Sequence, residues 1–238
     1  DREFHKMKIL ITGGAGMVGS HCAEYFSGRG DTVLVYDNLM RSSLFGYEKN
    51  SVEYNWNYLG TLNGIKRVRA DIRDIPTLED IFNSFRPDVV IHAAGQPGVQ
   101  MALKNPTEDY SINTTGTLNV LEALRKTNDA GIFIYCSTNK VYGVNVDQYA
   151  LNETTTRYCF KDIEGINETE AVDRTGHTPY GVSKLSGDLY VQDYAYTYGL
   201  RTGVFRMSCI YGTRQFGFED QGWIATTLPS PDGSGARC

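Results

Sequence analysis

The chain predicts an α/β fold built on a doubly wound parallel sheet, and three observations carry that prediction. Short apolar runs alternate with segments of helical spacing along most of the 238 residues. Several runs, Val89-Val90-Ile91 among them, are apolar without alternation, as strands buried on both faces are. The first run, Lys8-Ile9-Leu10-Ile11-Thr12, passes directly into Gly13-Gly14-Ala15-Gly16-Met17-Val18-Gly19, a glycine-rich turn that opens a helix-like segment.

In chain order, strands are expected at 7–12, 32–36, 65–70, 88–93, 131–137 and 200–206. Helical spacing covers 17–28, 76–85, 106–126 and 179–198, with Pro76 and Pro106 at helix starts and Pro179 leading into the last. Right-handed crossovers would bring the C-terminal ends of the strands to one edge, where ligands bind. Residues 144–178 are rich in Thr, Asn, Asp and Glu and follow no period, and they are longer than an ordinary connection. They read as a functional loop inserted at the active site. The stretch TTLPSPDGSGARC at 226–238 has little to bury and reads as a disordered tail. Residues 1–225 then form one nucleotide-binding domain.

Composition narrows the class. An apolar share of 41% supports a large core. The net charge of -5 and a pI of about 5.4 come without a basic stripe, so no nucleic-acid partner is expected. No apolar run approaches the ~20 residues that span a bilayer, and Asp1-Arg2-Glu3-Phe4-His5-Lys6 is no secretory core. A cytoplasmic location without a membrane partner is expected. Cys22, Cys136, Cys159, Cys209 and Cys238 are scattered and form no CxxC pair, which indicates neither a disulfide framework nor a metal site.

The glycine turn is a phosphate-binding pattern. Gly13 permits a tight turn, Gly16 lets backbone approach a pyrophosphate, and Gly19 lets the helix pack close to the strand. The helix N-terminus adds free N–H groups. Asp37 ends the next apolar run, about 20 residues on, where a carboxylate accepts ribose hydroxyls. The alternative is a glycine-rich hairpin.

Tyr180 and Lys184 lie four apart, on one face of a helix. An ammonium beside a phenol stabilises phenolate and lowers its pKa from ~10, and a nearby cationic nicotinamide would lower it further. Such a tyrosine moves a proton at an alcohol oxygen while hydride moves at carbon. Alone, the pair marks a solvated helix face. Thr138, at the end of the strand 131–137, faces the expected crevice and could donate to the reacting oxygen; otherwise it closes a turn. Asp71, followed by Ile72, either accepts from an adenine amino group or caps a helix. In His92-Ala93-Ala94-Gly95 the small residues let a cofactor lie against backbone, and His92 reads as a buried, hydrogen-bonded histidine. Gln96 and Gln100 lie beyond, toward substrate hydroxyls.

Together these motifs resemble the extended short-chain dehydrogenase/reductases, the nucleotide-sugar epimerases and dehydratases, over residues 7 to about 225. The resemblance rests on residues 12–19, Tyr36-Asp37-Asn38-Leu39, Asp71-Ile72-Arg73-Asp74, His92-Ala93-Ala94, Asn113 with Gly116-Thr117, and Tyr180 with Lys184. Narrower stretches at 137–143, 152–158, 205–217 and 220–223 are similar to CDP-tyvelose (CDP-paratose) 2-epimerases. The resemblance implies a Rossmann sheet and a tightly held NAD. The cofactor contacts it implies are Gly13, Gly16, Met17, Val18, Gly19, Asp37, Asn38, Asp71, Ile72, Ala93, Ala94, Gly95, Asn113, Ser137, Tyr180, Lys184 and Met207. Tyr180 would be the base and acid, Lys184 its tuner and a ribose ligand, and Thr138 the donor to the oxyanion. A nucleotide sugar would meet Gln96, Gln100, Thr138, Asn139, Cys209 and Gln215, and a homo-oligomer is implied. Cys209 departs from the asparagine that related epimerases often carry. Asn139-Lys140 departs from the Asp-Glu pair of dehydratases. The family-like pattern stops near Ala225, so the small C-terminal substrate domain is expected to be incomplete or absent. The alternatives are a 4-epimerase or 4,6-dehydratase on the same fold, and a non-catalytic NAD-binding protein.

Overall fold

A computed structural model describes residues 6–41 and 50–216 of the chain. The expected tail at 226–238, residues 217–225 of the expected domain and the motif at 220–223 lie outside the described residues. Six parallel strands form the main sheet: β1 (Lys8–Thr12), β2 (Thr32–Asp37), β3 (Ile65–Arg69), β4 (Val89–His92), β5 (Ile132–Thr138) and β8 (Arg201–Met207). Their order is β3-β2-β1-β4-β5-β8. The chain builds outward from β1 in one direction and then returns to build in the other. The reversal leaves a crevice beyond the C-terminal ends of β1 and β4.

Successive residues of β1, β2 and β4 serve opposite cores. Leu10, Leu34, Val90 and Phe133 pack on one face with Leu78, Phe82, Leu121, Leu124 and Val191. Ile9, Ile11, Val33, Val35 and Ile91 pack on the other with Ala23 and Leu59. The first core is covered by α3 (Ile75–Phe85), α6 (Gly116–Thr127) and α7 (Thr178–Tyr198), the second by α1 (Met17–Gly28) and α2 (Asn50–Gly60). Burial on both faces is why these strands are apolar without alternation.

All six expected strands and the four helical segments are present, with differences that have local causes. The segment 106–126 is not one uniform helix. It forms α5 (Pro106–Tyr110), a π turn (Ser111–Thr115) and α6. The wide turn carries Asn113, which with Asp109 on α5 makes buried hydrogen bonds. Two helices have no counterpart in the sequence reading, α2 and the short α4 (Val99–Lys104). On α2 the buried positions Val52, Asn55 and Leu59 follow helical spacing, but Asn55 interrupts the apolar stripe. Asn55 is buried because its amide donates to the Ala15 carbonyl at 3.0 Å, bracing the glycine turn.

Residues 144–178 contain the end of a 3-10 segment (Asn139–Gln148) and a two-stranded hairpin, β6 (Leu151–Glu153) with β7 (Tyr158–Phe160). No helix among the described residues is long and apolar enough to cross a membrane.

Candidate active site

A cleft of about 790 Å³ opens at the reversal point of the sheet. Its floor at one end is the turn after β1. Gly13 has a φ of +66°, and a Cβ there would stand 2.5 Å from the Ala94 nitrogen. A Cβ on Gly19 would overlap the Gly13 carbonyl, so α1 can sit this close to β1 only with glycine. Gly16 caps α1 without a side chain, leaving the first-turn backbone to face the cleft. These features fit a pyrophosphate against the turn, with its charge met by the start of α1.

Asp37 ends β2 beside this turn. Its carboxylate accepts from the Ala15 and Leu39 amides at 2.9 and 2.8 Å. Burial raises its pKa, and the two amides oppose that rise. Asn38 and Asp71 follow along the wall, with the Asn38 amide donating to Asp71 at 2.8 Å. Asp71 is not a helix cap. Asp74 accepts from the Thr77 amide and caps α3, while Asp71 holds Arg73 through two side-chain bonds at 2.9 and 2.8 Å. Arg73 in turn bridges to Glu108 at 2.8 Å.

The other end of the cleft gathers Thr138, Tyr180 and Lys184. Thr138 is the last residue of β5, and Tyr180 and Lys184 occupy the first turns of α7. Lys184 is buried, and its ammonium donates to the Cys136 carbonyl at 2.7 Å and sits 4.3 Å from the centre of the Tyr135 ring. Burial lowers the Lys184 pKa. Tyr180 departs from expectation: burial raises its pKa and outweighs the Lys184 charge and the Thr138 hydroxyl, which both pull it down. The lysine does stabilise phenolate, but desolvation of the phenol is the larger effect.

Every residue expected to touch cofactor or substrate lines this cleft except Asn113. Asn113 is buried behind the wall, where its Oδ1 accepts from the Gln96 amide at 2.8 Å and its Nδ2 donates to the Gln96 carbonyl and Asp109. It shapes the wall and makes no contact with the cleft. Gln96 reaches the lining, but its side chain is turned inward. Nε2 donates to the Gly98 carbonyl and Asp109, each at 2.8 Å, and Oε1 accepts from the Gly98 amide. A substrate contact through that amide group would have to break this turn. Gln100 and Cys209 are exposed at the mouth, and the Asn139 amide donates to the Ser208 hydroxyl at 3.2 Å. Met207 pairs in register with Thr138.

The segment 144–178 contributes no residue to the main cleft. It lines an adjoining cavity of about 910 Å³ that shares Asn139, Met207 and Ser208 with the cleft. The mouth is instead bordered by residues 208–216, which run back to α1 and α2. There Thr213 bonds His21 at 3.0 Å and Arg214 pairs with Glu24 at 2.7 Å.

His92 is fully buried. The Thr117 hydroxyl donates to the Asn113 carbonyl at 2.6 Å, so it accepts from His92 Nε2. Nδ1 then accepts from the Thr12 hydroxyl at 2.6 Å. Burial, with the Lys184 charge, pushes the His92 pKa down to about 3. The ring is a neutral strut. No cluster of three His, Cys, Asp or Glu able to hold a metal occurs among the described residues.

The sequence reading missed two buried carboxylates near Lys184. Asp109 accepts from the Ser183 hydroxyl at 2.5 Å, and Asp188 from the Ser137 hydroxyl at 2.7 Å. For Asp188, the spacing of four from Lys184 on a helix was the available signal.

The model of the NAD dependent epimerase/dehydratase family matches residues 9–228, nearly the whole sequence. The chain belongs to this family. The family is NAD dependent, and the glycine turn, Asp37 and the small residues 93–95 line one continuous cleft. CDP-paratose 2-epimerase of Salmonella typhi is 42% identical over 219 residues, covering 92% of this chain and 62% of that protein. Among solved structures, UDP-glucose 4-epimerase of Thermotoga maritima with UDP-glucose superposes with a TM-score of 0.70 at 30% identity, covering 92% of this chain and 60% of that one. UDP-glucose 4-epimerase of Thermus thermophilus in complex with NAD gives 0.67 at 31%, covering 88% and 57%. The chain spans about 57–62% of the length of these epimerase/dehydratase relatives.

Proposed function

We propose that this chain carries the cofactor and proton-transfer half of a nucleotide-sugar epimerase. The proposed reaction inverts C2 of a CDP-3,6-dideoxyhexose, CDP-paratose to CDP-tyvelose, through a 2-keto sugar. The observation that carries the reading is the placement of Thr138, Tyr180 and Lys184 at one end of a cleft whose other end is the glycine turn and Asp37. Asn139-Lys140 after Thr138 supports epimerisation, since dehydration needs an acid and a base there. The 42% identity to a CDP-paratose 2-epimerase supports the finer substrate.

NAD, when bound, supplies a reversible hydride acceptor at a sugar carbon. Tyr180 takes the proton of the hydroxyl on that carbon and later returns it to the keto oxygen. Thr138 donates to that oxygen and holds its charge. Lys184 favours the phenolate through its ammonium, fixed to β5 by the Cys136 carbonyl. Asp37 selects a free ribose over a 2′-phosphate, because two like charges would meet in a buried site.

The test is incubation of the purified chain and NAD with CDP-paratose, with products separated by chromatography. CDP-tyvelose is the expected product. Conversion of UDP-glucose to UDP-galactose instead would move the activity to C4. NAD binding without turnover of either would make the chain a binding protein. Titration with both cofactors is expected to show tighter NAD than NADP binding, and the reverse order would remove Asp37 from its role.

A further inference from the structure

A network of buried and half-buried side chains at the edge of the cleft links the segment 144–178 to Thr138. Asp188 lies one turn beyond Lys184 on α7 and two beyond Tyr180, on the same helical face. It is fully buried, and four donors converge on its carboxylate. Ser137 donates at 2.7 Å and Gln192 at 2.5 Å. Arg206 donates through Nε at 3.0 Å and Nη2 at 3.1 Å. The remaining Arg206 nitrogen, Nη1, reaches the Glu168 carbonyl at 3.0 Å and the Tyr142 hydroxyl at 3.3 Å. The guanidinium also lies 5.1 Å from the centre of the Tyr142 ring.

Four separate parts of the fold therefore meet at one ion pair: the end of β5, helix α7, strand β8, and the segment running from the 3-10 turn through Glu168. Ser137 and Arg206 are paired in register, so their side chains leave the sheet on the same face, toward α7. Ser137 directly precedes Thr138, the residue proposed to hold the reacting oxygen. A planar fork with separate donors for a carboxylate, a carbonyl and a phenol is a geometry that lysine cannot reproduce.

We propose that Asp188 and Arg206 are positioning residues that lock the 3-10 turn and the Glu168 stretch to the Thr138 end of β5. Neither lines the main cleft. Asp188 holds Ser137, and through it the end of β5, while Arg206 ties the neighbouring segment to the same carboxylate. The value of the lock for turnover rests on the proposed roles of Thr138, Tyr180 and Lys184; its mechanical part does not.

Hydrogen–deuterium exchange on the full chain, read by mass spectrometry, tests it directly. In Arg206→Met, amides in 140–146 and 166–170 are expected to exchange at least about tenfold faster, because the buried pair that holds them is broken. Amides of β1, β2 and β4 should keep wild-type protection. Arg206→Lys keeps the charge without the fork and should still loosen 166–170, which serves if the methionine variant does not fold. Unchanged exchange in 140–146 and 166–170 in a folded variant would overturn the proposal. So would a rise shared equally by β1 and β2, which would mark a general core contact. In a turnover assay Arg206→Lys is expected to lower kcat about tenfold to a hundredfold with KM within about twofold, the pattern of misplaced groups. Wild-type kcat would remove the positioning role. The exchange readout is independent of turnover, so it holds or fails separately from the assignment of Tyr180.

Discussion

Lys184 donates from Nζ to the carbonyl of Cys136 at 2.7 Å, which ties helix α7 to β5 two residues before Thr138. The lysine thus has a structural contact as well as an electrostatic one. Its charge is surrounded by Tyr180, Cys136, Asp188 and Asp109, and it in turn disfavours protonation of His92. The charge of one buried ammonium therefore bears on both the phenol on its own helix and the strut beneath the cleft.

Tyr180 is the proposed proton carrier, and its removal has a clear signature. Tyr180→Phe is expected to lose about 10²–10⁴-fold in turnover, the usual worth of a positioned acid or base, with NAD affinity nearly intact. The protein's own groups leave the phenol pKa above its ordinary value, so the phenolate fraction grows with pH. Turnover is expected to rise toward alkaline pH until the phenol is titrated. Lys184→Met removes a favourable charge, raises the phenol pKa further, and should move that rise to higher pH. Steady-state rates across pH decide it. An active phenylalanine variant would strip Tyr180 of its role.

Thr138→Ser keeps a hydroxyl at the end of β5, and most activity is expected to remain. Thr138→Val keeps the shape and removes the donor. One donor aimed at a developing oxyanion is worth about 3–4 kcal/mol, so a loss of about two orders of magnitude or more in kcat is expected. Full activity in the valine variant would leave Thr138 as a turn residue only.

The buried His92 is expected to make the fold acid-sensitive. Its folded pKa of about 3 lies below the ordinary 6.5. As pH falls through 6.5, the unfolded chain takes up a proton that the folded chain refuses, and stability drops until the folded pKa is reached. The full effect is about 5 kcal/mol. His92→Gln keeps a donor and an acceptor near Thr12 and Thr117 and cannot titrate. Urea unfolding at pH 7, 5.5 and 4.5 should show a steeper loss for wild type than for the variant. Parallel losses would mean that other groups control the acid limb.

Patterns confined to neighbouring residues carried most of the architecture. The glycine turn, the continuous apolar strands and the prolines at helix starts depend on backbone sterics and on burial of both sheet faces, and both leave local marks. The spacing of Tyr180 and Lys184 and the strand-end place of Thr138 were legible for the same reason. Tertiary structure decided which polar groups face the cleft and which are consumed by the protein. Gln96 and Asn113 face each other across 17 residues, and Asp109 meets Ser183 across 74. Asp71 and Asp74 both precede α3, and only the fold shows that the second caps it while the first holds Arg73. Asp188 finds its charge partner only where β8 brings Arg206 beside it. A buried polar group must find a partner. That partner is chosen by chain segments distant in sequence, so no local pattern records it.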